Sequence, residues 1–124
     1  MNNKVKEQIE RMKGQTIGVE VEMNNICRDT AAKIAAGYFG TNNWKYTAHI
    51  NGYKTWSAWD AQGREWKFQR DVSIDGPDDK KCEMVTPILK YEDIETLQEL
   101  IRLLRRAGAV SHAGVGCGVH YAKL

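Results

Sequence analysis

The sequence predicts an α+β domain, with helices on one face of a mainly antiparallel sheet, and three observations carry that expectation. Residues 16–24 alternate strictly between apolar and polar side chains. The dipeptides Asn51-Gly52 and Gln62-Gly63 divide residues 45–69 into short strand-like runs. Further on, Ile94, Leu97, Leu100, Ile101 and Leu104 recur at helical spacing.

In chain order, Val5, Ile9 and Met12 fall on one helical face and Gly14 follows as a stop, so a short amphipathic helix opens the chain. The alternating segment comes next. Ile17, Val19, Val21 and Met23 belong on a core face, which leaves Gly18, Glu20, Glu22 and Asn24 on a wet one. Asp29 can cap a second helix by accepting from free N–H groups in its first turn. That helix runs through Ala31, Ala32, Ile34, Ala35 and Ala36 toward Gly37 or Gly40. Residues 45–69 read as a meander: a strand to Ile50, the Asn51-Gly52 turn, a strand over residues 53–59, the Gln62-Gly63 turn, and a strand from Arg64. Pro77 with Asp78, Asp79, Lys80 and Lys81 marks an exposed loop, and residues 82–86 form a strand that Pro87 ends or places at an edge. Over residues 91–108 the pattern is helical. Glu92, Asp93 and Glu95 lie early and Arg102, Arg105 and Arg106 late, which complements the helix dipole, and Gly108 suits the C-terminal turn. A last short strand is expected over residues 119–122, after a glycine-rich turn.

Composition narrows the class. With 124 residues there is room for one domain, and 42% hydrophobic against 27% charged residues is a globular balance. No run approaches the ~20 apolar residues of a membrane span, and residues 1–13 have no apolar signal core, so a cytoplasmic protein is expected. Cys27, Cys82 and Cys117 are odd in number and contain no CxxC pair, which points to reduced thiols. A net charge of +2 names no nucleic-acid partner. His49, His112 and His120 lack metal-ligand spacing. Gly114, Gly116 and Gly118 make a GxGxG run that opens no helix, so it lacks the context of a dinucleotide site.

Two segments bear on chemistry. Glu20 and Glu22 share a strand face with side chains about 7 Å apart, and they repel unless a cation lies between them. Mg²⁺ with bound phosphate is one solution, and a solvated sheet face with basic neighbours is the other. The second segment interleaves Trp44, Trp56, Trp59 and Trp66 with Lys45, Lys54, Arg64, Lys67 and Arg70. Such residues stack on bases and pair phosphates, anchor a protein interface, or pack the tryptophans onto a sheet.

Read together, four segments come in a particular order: Ile17-Gly18-Val19-Glu20-Val21-Glu22-Met23, Asp71-Val72-Ser73-Ile74, Cys82-Glu83-Met84-Val85-Thr86-Pro87-Ile88-Leu89, and Cys117-Gly118-Val119-His120. A helix ending in Arg105-Arg106-Ala107-Gly108-Ala109 separates the last two. This series resembles the N-terminal half of the amidoligase family, carboxylate-amine ligases similar in fold to glutamine synthetase and glutamate-cysteine ligase. The resemblance covers nearly the whole chain from Thr16. It implies a curved antiparallel sheet that holds Mg²⁺ and ATP, on which a carboxylate is activated as an acyl phosphate and an amine attacks it. Glu20, Glu22 and Glu83 would then be metal or nucleotide-phosphate carboxylates. Asp71 with Ser73 would be a substrate-facing pair, and His120 the first histidine of the family's C-G-x-H-x-H strand.

The family's second histidine is replaced by Ala122, and the sequence stops at Leu124. The expectation drawn from this is a single truncated domain acting as a protein-binding or inhibitory module, such as a phage or mobile-element inhibitor of a host defence nuclease of the anti-CRISPR type. Trp56, Trp59, Arg64, Trp66, Lys67 and Arg70 are its expected interaction surface, and a nucleoprotein nuclease complex its expected partner. A homodimer is a further way to cover the edge near Val119. The alternative is an ATP- and Mg²⁺-dependent amidoligase whose missing half comes from another chain.

Overall fold

Strand β1 (Thr16–Met23) forms where the alternation places it, with Val19, Val21 and Met23 buried and Glu20 exposed. The computed structural model describes residues 2–110 and 119–123, with β1 preceded by α1 (Asn3–Lys13). After β1 come α2 (Arg28–Phe39), β2 (Trp44–Tyr46), α3 (Ala48–Asn51), β3 (Trp56–Trp59) and β4 (Glu65–Gln69). The remaining elements are β5 (Cys82–Val85), β6 (Leu89–Lys90), α4 (Ile94–Arg106) and β7 (Val119–Lys123). His112, Cys117 and the glycines 114, 116 and 118, singled out above, lie outside the described residues.

All described strand pairings are antiparallel, in the order β2-β3-β4-β5-β1-β6 with β7 on β1. Glu20 and Val21 pair with both β5 and β7, so these two strands take opposite edges of β1. β6 continues β5 along one edge, with the register stepping by one residue between them. Pro87 sits in this step, where the interrupted ladder needs no N–H from it. Thr86 holds the step closed. Its N–H donates to the Val19 carbonyl at 3.0 Å, and its Oγ1 accepts the Val19 N–H at 3.1 Å in place of a backbone carbonyl.

One sheet face carries the core. Ala31, Ala32, Ala35 and Ala36 are fully buried, and their small size lets α2 lie close to the sheet; α4 adds Leu97, Leu100 and Leu104. Facing them from the sheet are Val19, Val21, Trp66, Phe68 and Met84. The cap of α2 is Cys27, not Asp29 as expected; Asp29 lies in the first turn and accepts the Thr30 N–H at 2.8 Å. Gly40, at φ 79°, ends the helix in the left-handed conformation that glycine adopts without cost. α4 is introduced by a 3-10 turn at Tyr91–Asp93, where Asp93 Oδ2 accepts the Lys90 N–H at 2.8 Å. Among the described residues no helix is long and apolar enough to cross a membrane.

The expected hairpin at Asn51-Gly52 does not form. β2 ends at Tyr46, α3 takes one helical turn, and β3 begins at Trp56 rather than at Tyr53. Polar side chains draw this segment across the sheet face opposite the helices. Thr47 Oγ1 meets Ser57 Oγ at 2.7 Å, and Asn51 Nδ2 donates to Thr47 Oγ1 at 3.1 Å and to Glu65 Oε2 at 3.0 Å. Ser57 is completely buried beneath α3 as a result.

Candidate functional site

Because Val19, Val21, Met84, Trp66 and Phe68 point into the core, their neighbours Glu20, Glu22, Glu83, Lys67 and Gln69 point to the open face. Register aligns them in two rows. Gln69, Glu83 and Glu22 lie opposite one another across β4, β5 and β1; Lys67, Val85 and Glu20 form the adjoining row. Asp71 follows β4 in a turn of its own. Its Oδ1 accepts the Ser73 N–H at 3.0 Å and the Ser73 hydroxyl at 2.7 Å, and buried Ile74 anchors the segment.

One carboxylate oxygen from each of Glu22, Asp71 and Glu83 can be chosen so that all three lie within 4.8 Å of one another. Oxygens on opposite sides of Mg²⁺ stand about 4.2 Å apart, and across Ca²⁺ about 4.8 Å. The donor set is all oxygen and anionic, so it fits a single hard cation.

Glu83 is the buried member. Burial pushes its pKa up to about 7; the Gln69 hydrogen bond at 3.3 Å opposes this, while Glu20 and Asp71 add to it through their negative charge. A bound cation would offset the repulsion among these carboxylates.

Of the residues expected to hold metal, Glu22 and Glu83 belong to this group and Glu20 adjoins it through Glu83. Asp71, paired in the sequence reading with Ser73 toward substrate, keeps Ser73 as a partner and also joins the carboxylates. The His120 backbone is the register partner of Glu20 on β7.

The six residues expected to form one interaction surface are divided between the two sides of the sheet. Trp66 is 0% exposed in the core, where its Nε1 donates to Asp60 Oδ2 at 2.9 Å, so it is no part of a surface. Trp56 packs against the core too, as strand alternation requires, whereas Trp59 and Lys67 take the open side. Arg64 binds Asp60 at 2.8 Å and Asp93 at 3.0 Å, and Arg70 binds Asp78. Hydrogen bonds from Arg64 hold Asp93 below the usual carboxylate range. For Asp60 burial acts upward, but the bonds from Trp66 and Arg64 prevail and lower it. Gln69 and the wall formed by α3 were not anticipated. A signal for the former was present: Glu65, Lys67, Gln69 and Asp71 are polar at every second position, one continuous open-face row.

A sheet with helices on one side and grouped carboxylates on the other defines this protein as an α+β domain with an acidic open face. A family model described as "Putative amidoligase enzyme" matches residues 13–122, and the chain belongs to that family. No curated protein and no solved structure matches the chain.

Proposed function

We propose that this amidoligase-family domain binds a divalent cation, Mg²⁺ in the first instance, on Glu22, Asp71 and Glu83, as part of an ATP-dependent site that joins a carboxylate to an amine. The observation that carries this reading is the convergence of those three carboxylates within 4.8 Å on the open face. Mg²⁺ and ATP would supply charge neutralisation and the phosphoryl group that activates the acid. The chain's own residues bind and orient: Gln69 fixes one oxygen of Glu83, and Ser73 fixes one of Asp71. α3 walls off water on the β3 side. Calorimetric titration with MgCl₂ and with Mg-ATP tests the proposal. Binding heat that disappears in Glu22→Gln/Asp71→Asn supports it, and no heat at millimolar ligand overturns it.

A second reading, a protein-binding inhibitor of a host defence nuclease, is favoured by a different observation. Ile50, Tyr53 and Val72 are 75%, 72% and 68% exposed. Ile50 lies on α3, Tyr53 just after it and Val72 in the turn after β4, and the two segments are tied where the Arg70 N–H donates to the Tyr53 carbonyl at 2.8 Å. Exposed apolar side chains on pinned segments suit a protein contact. Inhibition of DNA cleavage by a defence nuclease complex, relieved by Ile50→Ser/Tyr53→Ser, is the expected result; an unaffected nuclease would exclude this role.

A further inference from the structure

On the open side of β4, Lys67 stands between two committed neighbours. Glu65 accepts from Ser57 Oγ at 2.7 Å and from Asn51 Nδ2 at 3.0 Å, and Gln69 donates to Glu83 at 3.3 Å. Lys67 itself is half-buried, and its side chain makes no hydrogen bond or ion pair with any described residue. Its cross-strand neighbours explain why. Ser57 is turned to Thr47 and Glu65, and Val85 has no polar group to offer. Glu20 lies beyond Val85 in the same row, two strand spacings or about 10 Å away between backbones. A lysine whose stem is half-buried and whose ammonium has no counter-charge among the described residues is available to an arriving anion.

We infer that Lys67 is an oxyanion-binding residue of the carboxylate site, meeting one phosphate of a nucleoside triphosphate while neighbouring phosphate oxygens rest on the cation held by Glu22, Asp71 and Glu83. The inference rests on the cation reading proposed above. Charge requires such a residue. Three carboxylates, with Glu20 beside them, outweigh one divalent cation, so a polyanion arriving at this face needs a positive group beyond the metal. Size selects the ligand. A chain of phosphates offers oxygens to both ends of the row from Lys67 to Glu20, and a lone carboxylate on the cation does not. The α3 segment covers Ser57, the cross-strand neighbour of Lys67, so an arriving anion meets Lys67 from the Val85 side.

The experiment uses the whole chain and its Lys67→Met and Lys67→Arg variants, with the urea midpoint of each measured first. MgCl₂ alone is titrated, then inorganic tripolyphosphate at saturating Mg²⁺, then glutarate under the same conditions. In Lys67→Met the Mg²⁺ affinity should stay within about twofold while tripolyphosphate weakens by about tenfold or more, and Lys67→Arg should restore most of the loss. Glutarate binding should be the same in all three proteins. Equal tripolyphosphate affinity in wild type and Lys67→Met overturns the inference, as does a loss confined to glutarate. A wild type that binds no Mg²⁺ defeats the cation reading itself; Mg²⁺ binding with unmoved tripolyphosphate affinity defeats only the role of Lys67.

Discussion

Replacing Glu83 by Gln isolates the electrostatic cost of the carboxylate group. Burial, with Glu20 and Asp71 close by, moves the Glu83 pKa from 4.5 to about 7 in the folded protein. Between those values the folded chain keeps a proton that the unfolded chain has lost. The associated stability is therefore complete below pH 4.5 and is lost as the pH rises through about 7. That displacement corresponds to about 3 kcal/mol once both states are ionised. Gln has nearly the same shape and no charge to desolvate. Glu83→Gln should therefore match the wild type near about pH 4 and exceed it by about 3 kcal/mol near about pH 8. Urea unfolding followed through buried Trp66 measures both proteins across that range. Saturating Mg²⁺ should close the gap by stabilising the wild type alone, because the cation binds the ionised carboxylates. A difference that stays constant with pH to within about 0.5 kcal/mol would refute the reasoning, since linkage allows no other outcome for a displaced pKa.

The same structure sets three other expectations. Arg64→Met strips the counter-charge from Asp60 and Asp93, whose side chains are 5% and 10% exposed, and should cost about 3 kcal/mol in urea unfolding. Both carboxyl groups have lowered pKa values, so the stability they contribute is present above their unfolded value of 3.8 and falls away only at lower pH; the variant should lose this acid-side decline. Thr86→Val leaves the Val19 N–H without its 3.1 Å acceptor in a buried ladder, for a loss of about 1–3 kcal/mol, and Thr86→Ser should recover most of it. Cys82, whose thiol burial pushes up to about 12, should resist iodoacetamide in the native protein and react only on unfolding, read by mass spectrometry in a Cys27→Ser/Cys117→Ser background.

What was legible in the sequence follows the range of the forces involved. β1 and α4 were visible because burial of one face writes its period into consecutive residues: Val19, Val21 and Met23 in one, Leu97, Leu100 and Leu104 in the other. The region from Thr47 to Thr55 was not, because its partners are remote. Asn51-Gly52 resembles a hairpin turn, yet Asn51 is drawn to Glu65. Gly52 does take a positive φ, 72°, but so do Tyr53 and Lys54, at φ 51° and 50°. Such a conformation is unfavourable for either side chain, and it is held by the Arg70 N–H on the Tyr53 carbonyl and Arg28 Nε on the Lys54 carbonyl. No local pattern announces those bonds. The entry of Asp71 into the carboxylate group has the same character, since it depends on β4 meeting β5 with Gln69 opposite Glu83.

The disposition of cations argues that Glu83 stands where it does for a ligand and not for the fold. A structural acid is ordinarily given a basic partner, and this chain does so elsewhere: Arg64 serves Asp60 and Asp93, Arg70 serves Asp78, and buried Arg28 is spent on the carbonyls of Lys54, Asp78 and Lys81. Glu83 receives instead an uncharged amide, that of Gln69. Lys67 lies on the neighbouring strand and is left unpaired among the described residues. A sequence able to neutralise Asp60 and Asp93 with one arginine had the means to pair Glu83 with Lys67, and the stability forgone by not doing so is what a site awaiting both a cation and an anion entails.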